Sequence, residues 1–129
     1  ANNWNIGFID AKKVAVNGQA TETSEVVYNA NSATFNISFA GPGDSITYDF
    51  AIKNNGLLDA KVDSIHILPS NKIDDVALFE VKGLEVGDEL DAGEVTHMQV
   101  IATYNSNYQD VAKNVSKGVT VVVNYKENS

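Results

Sequence analysis

The amino-acid sequence predicts an all-β fold: an antiparallel β-sandwich of jelly-roll or immunoglobulin-like type, with about eight or nine strands. Three observations carry that expectation. Apolar and polar residues alternate with a period of two through most of the chain, which places one face of each strand in a core and the other in water. Clusters of Gly, Pro, Asn and Asp interrupt the alternation at short intervals, as turns require. No segment long enough for a helix carries helical periodicity. The 129 residues make one domain, residues 1–129. A chain of this size buries roughly two-thirds of its unfolded surface and needs no disulfide to fold.

The first element, residues 1–10, is an unusual terminus. Trp4, Ile6 and Phe8 alternate with Asn5 and Gly7, and Trp4 is the single tryptophan of the chain. A terminus is ordinarily disordered unless tied down, and an exposed Trp-x-Ile-x-Phe face invites aggregation. This strand therefore buries its apolar face in its own sandwich or in that of a neighbour.

The next clear strand is Ala33 to Phe39, with Phe35, Ile37 and Phe39 inward and Thr34, Asn36 and Ser38 outward. Ala40-Gly41-Pro42-Gly43-Asp44 follows, a hairpin turn or a corner between sheets. Ser45 to Lys53 alternates again, with Ile46, Tyr48, Phe50 and Ile52 on one face, and Asn54-Asn55-Gly56 ends it with an Asn-Gly turn signal. Ala60 to Ile67 resumes extended structure, and its phase slips at Asp63-Ser64, which predicts a β-bulge.

The middle of the chain is less regular. Pro69 to Val76 reads as a loop with a short helical turn over Lys72 to Val76, and Leu78 to Val81 as a short strand. Gly83 to Gly93 reads as an exposed acidic connection. Two long strands close the domain. Thr96, Met98, Val100, Ala102 and Tyr104 share one face of the first, and Val119, Val121, Val123 and Tyr125 share one face of the last. Ser106 to Lys117, between them, reads as a polar connection with a short helix over Tyr108 to Lys113.

Composition narrows the partners. The formal net charge is −8 and the pI about 4.5, so nucleic acid and anionic membrane surfaces are repelled. No apolar run approaches the ~20 residues of a membrane helix, so no membrane insertion is expected. The absence of cysteine removes disulfides and thiolate metal sites. The chain opens at Ala1 without a start methionine, which suggests cleavage after a signal peptide and hence a secreted protein.

Chemistry-bearing motifs are sparse, and no catalytic residue, cofactor or metal is expected. His66 and His97 fall on the polar phase of predicted strands, with no His-Glu-x-x-His spacing. No serine stands in a Gly-x-Ser-x-Gly elbow, and Gly41-Pro42-Gly43 lacks the Lys-Ser/Thr of a phosphate loop. Asp74-Asp75 and Asp88-Glu89-x-Asp91 lack the ligand ladder of a Ca²⁺ loop and read as solvated charge. Asn36-Ile37-Ser38 and Asn114-Val115-Ser116 are formal glycosylation sequons, the first outward on its strand.

The stretch Ala33 to Ile65, ATFNISFAGPGDSITYDFAIKNNGLLDAKVDSI, joins two alternating strands through Pro-Gly-Asp and ends the second in Asn-Asn-Gly. Together with Trp4-Asn5-Ile6-Gly7-Phe8-Ile9-Asp10-Ala11-Lys12, it resembles the TasA/camelysin family of secreted bacterial biofilm-matrix proteins. The likeness is good over residues 1–67 and loose beyond. It implies a jelly-roll sandwich, export by a dedicated signal peptidase, and fibres built by donor-strand complementation. In that scheme Asn3, Trp4, Asn5, Ile6, Gly7, Phe8 and Ile9 form the donor strand, with Trp4, Ile6 and Phe8 filling pockets of the next subunit. The metalloprotease activity attributed to camelysin-like members is not implied, because no zinc-ligand set stands in this sequence.

The expected function is thus a structural subunit of an extracellular bacterial filament or biofilm matrix. It polymerises head-to-tail with itself, and other matrix or cell-wall components are further candidate partners. A head-to-tail contact that does not close on itself generates a filament. The alternative is a monomeric cell-surface adhesin or ligand-binding β-sandwich module. It expects the N-terminal strand packed within its own subunit and a functional loop such as Gly83 to Gly93.

Overall fold

A computed structural model describes residues 4–69, 75–108 and 114–128. The strands in chain order are β1 (Ile6–Asn17), β2 (Thr21–Tyr28), β3 (Ser32–Phe39), β4 (Ser45–Asn54) and β5 (Ala60–Leu68), then β6 (Ala77–Lys82), β7 (Glu89–Leu90), β8 (Val95–Tyr104) and β9 (Val115–Glu127). They form two antiparallel sheets, one ordered β1-β4-β8-β6 and the other β2-β3-β9-β5-β7. The all-β sandwich expected from the alternation is what the chain adopts, with nine strands.

The alternation decides which side chains meet between the sheets. Phe35, Ile37 and Phe39 of β3, Ile46, Tyr48, Phe50 and Ile52 of β4, Met98, Val100 and Ala102 of β8, and Val119, Val121 and Val123 of β9 are all buried in one core. Aromatic rings join the two layers. Phe35 stacks on Tyr48 with centroids 4.5 Å apart, and Phe39 meets Tyr104 edge-on at 6.3 Å. Full burial of each large apolar side chain contributes about 1.5–3 kcal/mol, so these central strands hold most of the stability.

The Ala40–Asp44 segment is a corner, because β3 and β4 belong to different sheets. Asp44 organises it. Its carboxylate accepts the backbone N–H groups of Ala40 (2.6 Å), Gly41 (3.1 Å) and Gln19 (2.8 Å). Burial alone opposes ionisation of this carboxyl, but the three donors outweigh it and hold it below the ordinary carboxylate range. The same carboxylate lies against Gly18, whose φ of +66° and lack of a Cβ let the β1–β2 turn pass beside it. One side chain thus ties two corners together. The expected bulge in β5 is also present: Val62 pairs with Tyr125 and Ser64 with Asn124, leaving Asp63 unmatched.

Several expectations need correction. The first strand does not stop near Asp10 but runs to Asn17, and Thr21–Tyr28 is a strand with no counterpart in the reading above. Both are edge strands with irregular register, so no neighbour enforces a clean period. The Gly83–Gly93 connection is only partly exposed: Leu84 and Leu90 are buried, and β7 pairs with β5 at Ala60 and Lys61. The last strand begins at Val115, inside the connection expected to reach Lys117. The expected helical turns over Lys72 to Val76 and Tyr108 to Lys113 fall mainly outside the described residues.

Replacing Asp44 with Ala strands three backbone donors and is expected to lower stability by about 2–3 kcal/mol at neutral pH. A carboxyl held low in the folded state stabilises above its unfolded value, near pH 4, and that contribution fades as pH falls through the lower folded value. Urea unfolding of both proteins across the acid range should therefore show the deficit shrinking below about pH 4; a gap that stays constant in acid contradicts the role given to the carboxylate.

Candidate functional site

The N-terminal strand singled out by the sequence lies at one edge of the four-stranded sheet, against β4. Its residues divide sharply. Asn3 lies outside the described residues. Trp4 and Asn5 precede the ladder, and Trp4, expected on the buried face, is 36% exposed. Ile6 and Phe8 are buried, each 6% exposed, opposite Asn54 and Ile52 of β4. Phe8 packs on Phe50 with ring centroids 5.6 Å apart. Ile9 is exposed at a break in register between Phe8 and Asp10.

That break separates two halves of β1. Beyond it the strand keeps its hydrogen bonds to β4, but apart from half-buried Ala11 its side chains are exposed. Before it, the strand is gripped from both sides. β4 pairs with one edge, while on the other Phe8 N–H donates to the Ala30 carbonyl (3.0 Å) and the Tyr28 hydroxyl donates to the Ile9 carbonyl (2.8 Å). Asn55 N–H donates to the Asn5 carbonyl at 2.7 Å and extends the seat by one residue. Gly7 makes the close approach possible, since a Cβ there would stand 2.5 Å from the Ala30 oxygen and 2.6 Å from its Cα.

Past the break the seam is closed by a polar contact instead. Glu22 pairs with Ile37 of β3, which sets it on the inward phase of β2, and its carboxylate accepts the Tyr48 hydroxyl at 2.6 Å. Burial first, then the hydrogen bond to Glu22 and the charge of Glu22, push the Tyr48 phenol well above its usual range, so it stays a proton donor at ordinary pH. An inward-pointing charge on an edge strand is also a guard against unwanted strand pairing.

Acidic residues collect near the start of β1. The Asp91 carboxyl is shifted upward, chiefly by the charge of Asp59, then by a small loss of hydration and by the charges of Glu94 and Glu89. Carboxylates of this region hold turns: Asp59 accepts Ala92 N–H, Glu94 accepts Asp91 N–H, and nearby Asp88 accepts Glu85 N–H, each at 2.9 Å. Among the described residues no group of three or more His, Asp or Glu is arranged to hold a metal. His97 is exposed beside Asp49, 3.0 Å from Nδ1 to Oδ2, and His66 is exposed on β5 opposite Val122. Asn36 is half-buried between neighbouring strands, whereas Asn114 is exposed just before β9.

Sequence reasoning missed the far wall of the seat, Tyr28 and Ala30, along with Glu22. One signal was available. Asn17-Gly18 is an Asn-Gly turn pair that marks the end of β1 and the approach of β2.

Introducing a Cβ at Gly7 must lift β1 from the β2–β3 connection. Gly7→Ala is expected to cost about 1–3 kcal/mol, as overpacking does, and to raise hydrogen exchange at the Phe8 amide ahead of the β4 core. Unchanged stability and exchange would mean that the close approach is not needed. Against models of known families, curated proteins and solved structures alike, the chain finds no match.

Proposed function

We propose that this chain is a structural subunit of an extracellular filament or matrix, joined to its neighbours by exchange of the N-terminal segment Asn3 to Ile9. The reading rests on the way β1 is divided at Ile9. The segment before the break lies at a sheet edge and inserts two apolar side chains between the layers. An edge piece with those properties can be replaced by the same piece from another copy while the central strands stay paired. The seat supplies main-chain partners on both sides for affinity and pockets at Ile6 and Phe8 for register. In an isolated copy the only strand at hand to fill that seat is the chain's own. The remainder of β1, bonded to β4 and followed by the corner at Gly18, stays behind as the anchor. Where each copy gives its segment to one neighbour and receives from another, the contact is heterologous and copies add in line.

The packing of Ile6 and Phe8 within their own domain is also what a monomeric adhesin or ligand-binding module would use. Two experiments separate the readings. The chain has no cysteine, so a double variant, Asn5→Cys with Asn55→Cys, can tie the strand end to its own β4 extension. Directly opposed antiparallel residues lie within disulfide reach. Electron microscopy is expected to show filaments from the reduced double variant and none from the oxidised one. Filaments from both would rule out exchange of this segment.

The second experiment uses pH. With 17 acidic residues and a net charge of −8, copies repel one another at neutral pH. The upward-shifted Asp91 takes up a proton sooner than an ordinary carboxyl as pH falls, which relieves repulsion within the group it forms with Asp59, Glu94 and Glu89. Assembly is therefore expected to be faster near pH 4.5, the sequence pI, than at neutrality, followed by light scattering and micrographs. Equal or slower assembly in acid would remove charge repulsion as the barrier.

A further inference from the structure

The exposed residue Tyr28 lines two grooves. It is 44% exposed, yet it is not free to swing: its backbone is paired with β3 at Ala33 and its hydroxyl is bonded to the Ile9 carbonyl at 2.8 Å. One groove, of about 240 Å³, is bounded by Asn5, Gly7, Ile9, Asn29 and Asn55 among others. The other, of about 150 Å³, is bounded by Val27, Asn29, Ser32 and Thr34. Tyr28 and Asn29 line both, so the two grooves adjoin along these residues and are taken together as one trough.

The chemistry of the walls is selective. In a chain of net charge −8, none of the residues lining either groove is charged. The polar groups are amides and hydroxyls. The side-chain amides of Asn5 and Asn55 make no hydrogen bond among the described residues, and Asn29 uses its Oδ1 on Asn31 and Ser32, leaving its amide N–H groups to donate. A planar amide both donates and accepts. A fixed aromatic ring offers a flat apolar face at little entropic cost.

We propose that this trough binds a neutral oligosaccharide chain. A pyranose ring carries an apolar C–H face that stacks on an aromatic ring, and a rim of hydroxyls that pair with amides and other hydroxyls. Successive sugar units would straddle Tyr28, one in each groove. Anionic polymers are disfavoured by the charge of the whole domain. A further β-strand is disfavoured because main-chain groups along the trough already have partners: Phe8 N–H with Ala30, Asn29 N–H with Ser32, and Asn55 N–H with Asn5. The site does not depend on strand exchange, since a neighbour's segment seated in the same place rebuilds the same wall.

The test is a titration of the isotope-labelled monomer at neutral pH with cello-, laminari-, malto- and N-acetylchito-oligosaccharides, followed by amide chemical shifts. At least one series should move resonances of residues 5–9, 27–34 and 55, and leave those at the Asp44 corner unmoved. Tyr28→Ala should weaken that binding about tenfold or more, equivalent to about 1.4 kcal/mol. Asn55→Ala, on the opposite wall and away from the β2 ladder, should also weaken it and serves if Tyr28→Ala does not fold. The proposal is overturned if no series shifts these residues, if the shifts map elsewhere, or if both variants bind as the parent does. It is equally overturned if a peptide of residues 3–9 occupies the trough and the sugars do not. Filament formation is a separate readout, so loss of either property leaves the other intact.

Discussion

A line of aromatic contacts through the middle of the sandwich sets the terms for everything else. Phe35 of one sheet lies against Tyr48 and Phe50 of the other, at 4.5 and 6.4 Å between centroids. From Phe50 the line continues to Phe8, and from Tyr48 its hydroxyl reaches Glu22. The core therefore extends to the β1–β2 edge in two ways, through an apolar plug at one end and a polar latch at the other. The plug is what makes the start of β1 a seat with defined register. The latch explains why the rest of β1 needs no buried side chains of its own.

Buried polar groups hold the ends as the rings hold the middle. Asp44 gathers the corners at Gln19 and Ala40–Gly41, while fully buried Asn54 gathers the opposite end. Its amide donates to the carbonyls of Leu58 and Leu90, and its oxygen accepts Gly56 N–H. Each satisfies main-chain groups that turns leave unpaired, and a buried group without a partner costs about 1–3 kcal/mol. Asn54 also stands opposite Ile6, and its carbonyl accepts Gly93 N–H. The seat of the first strand and the acidic loops are thus built on one residue.

The two proposals share this edge for the same physical reason. A sandwich whose layers are joined by corners has a seam at the edge where β1 and β2 meet. Close approach there requires Gly7, and rigidity requires the Tyr28 hydroxyl on Ile9. The outcome is an edge strand that fits tightly, beside an aromatic ring held still while half in water. Strand exchange would use the first property and ligand binding the second.

The central strands β3, β4, β8 and β9 were legible in the sequence, because each is covered on one face and paired on both edges, so its burial is written as a period of two. The bulge at Asp63 was legible for the same reason, as a slip in that period. The apolar residues Ile6 and Phe8 also declared themselves by alternation. What covers them did not. The run from Ala11 to Tyr28 lies on two edges, bends at breaks in register and carries an inward glutamate, so its pattern is neither alternating nor helical. Buried Leu84, in the connection before β7, and Leu90, in a two-residue strand, were hidden among loop acids because neither stretch is long enough to show a period. The sequence by itself determined an all-β sandwich and an apolar first strand in need of cover. Only the tertiary structure decided that Ala30, Tyr28 and Glu22 provide the seam around it, because those contacts join residues whose local pattern carries no trace of their partners.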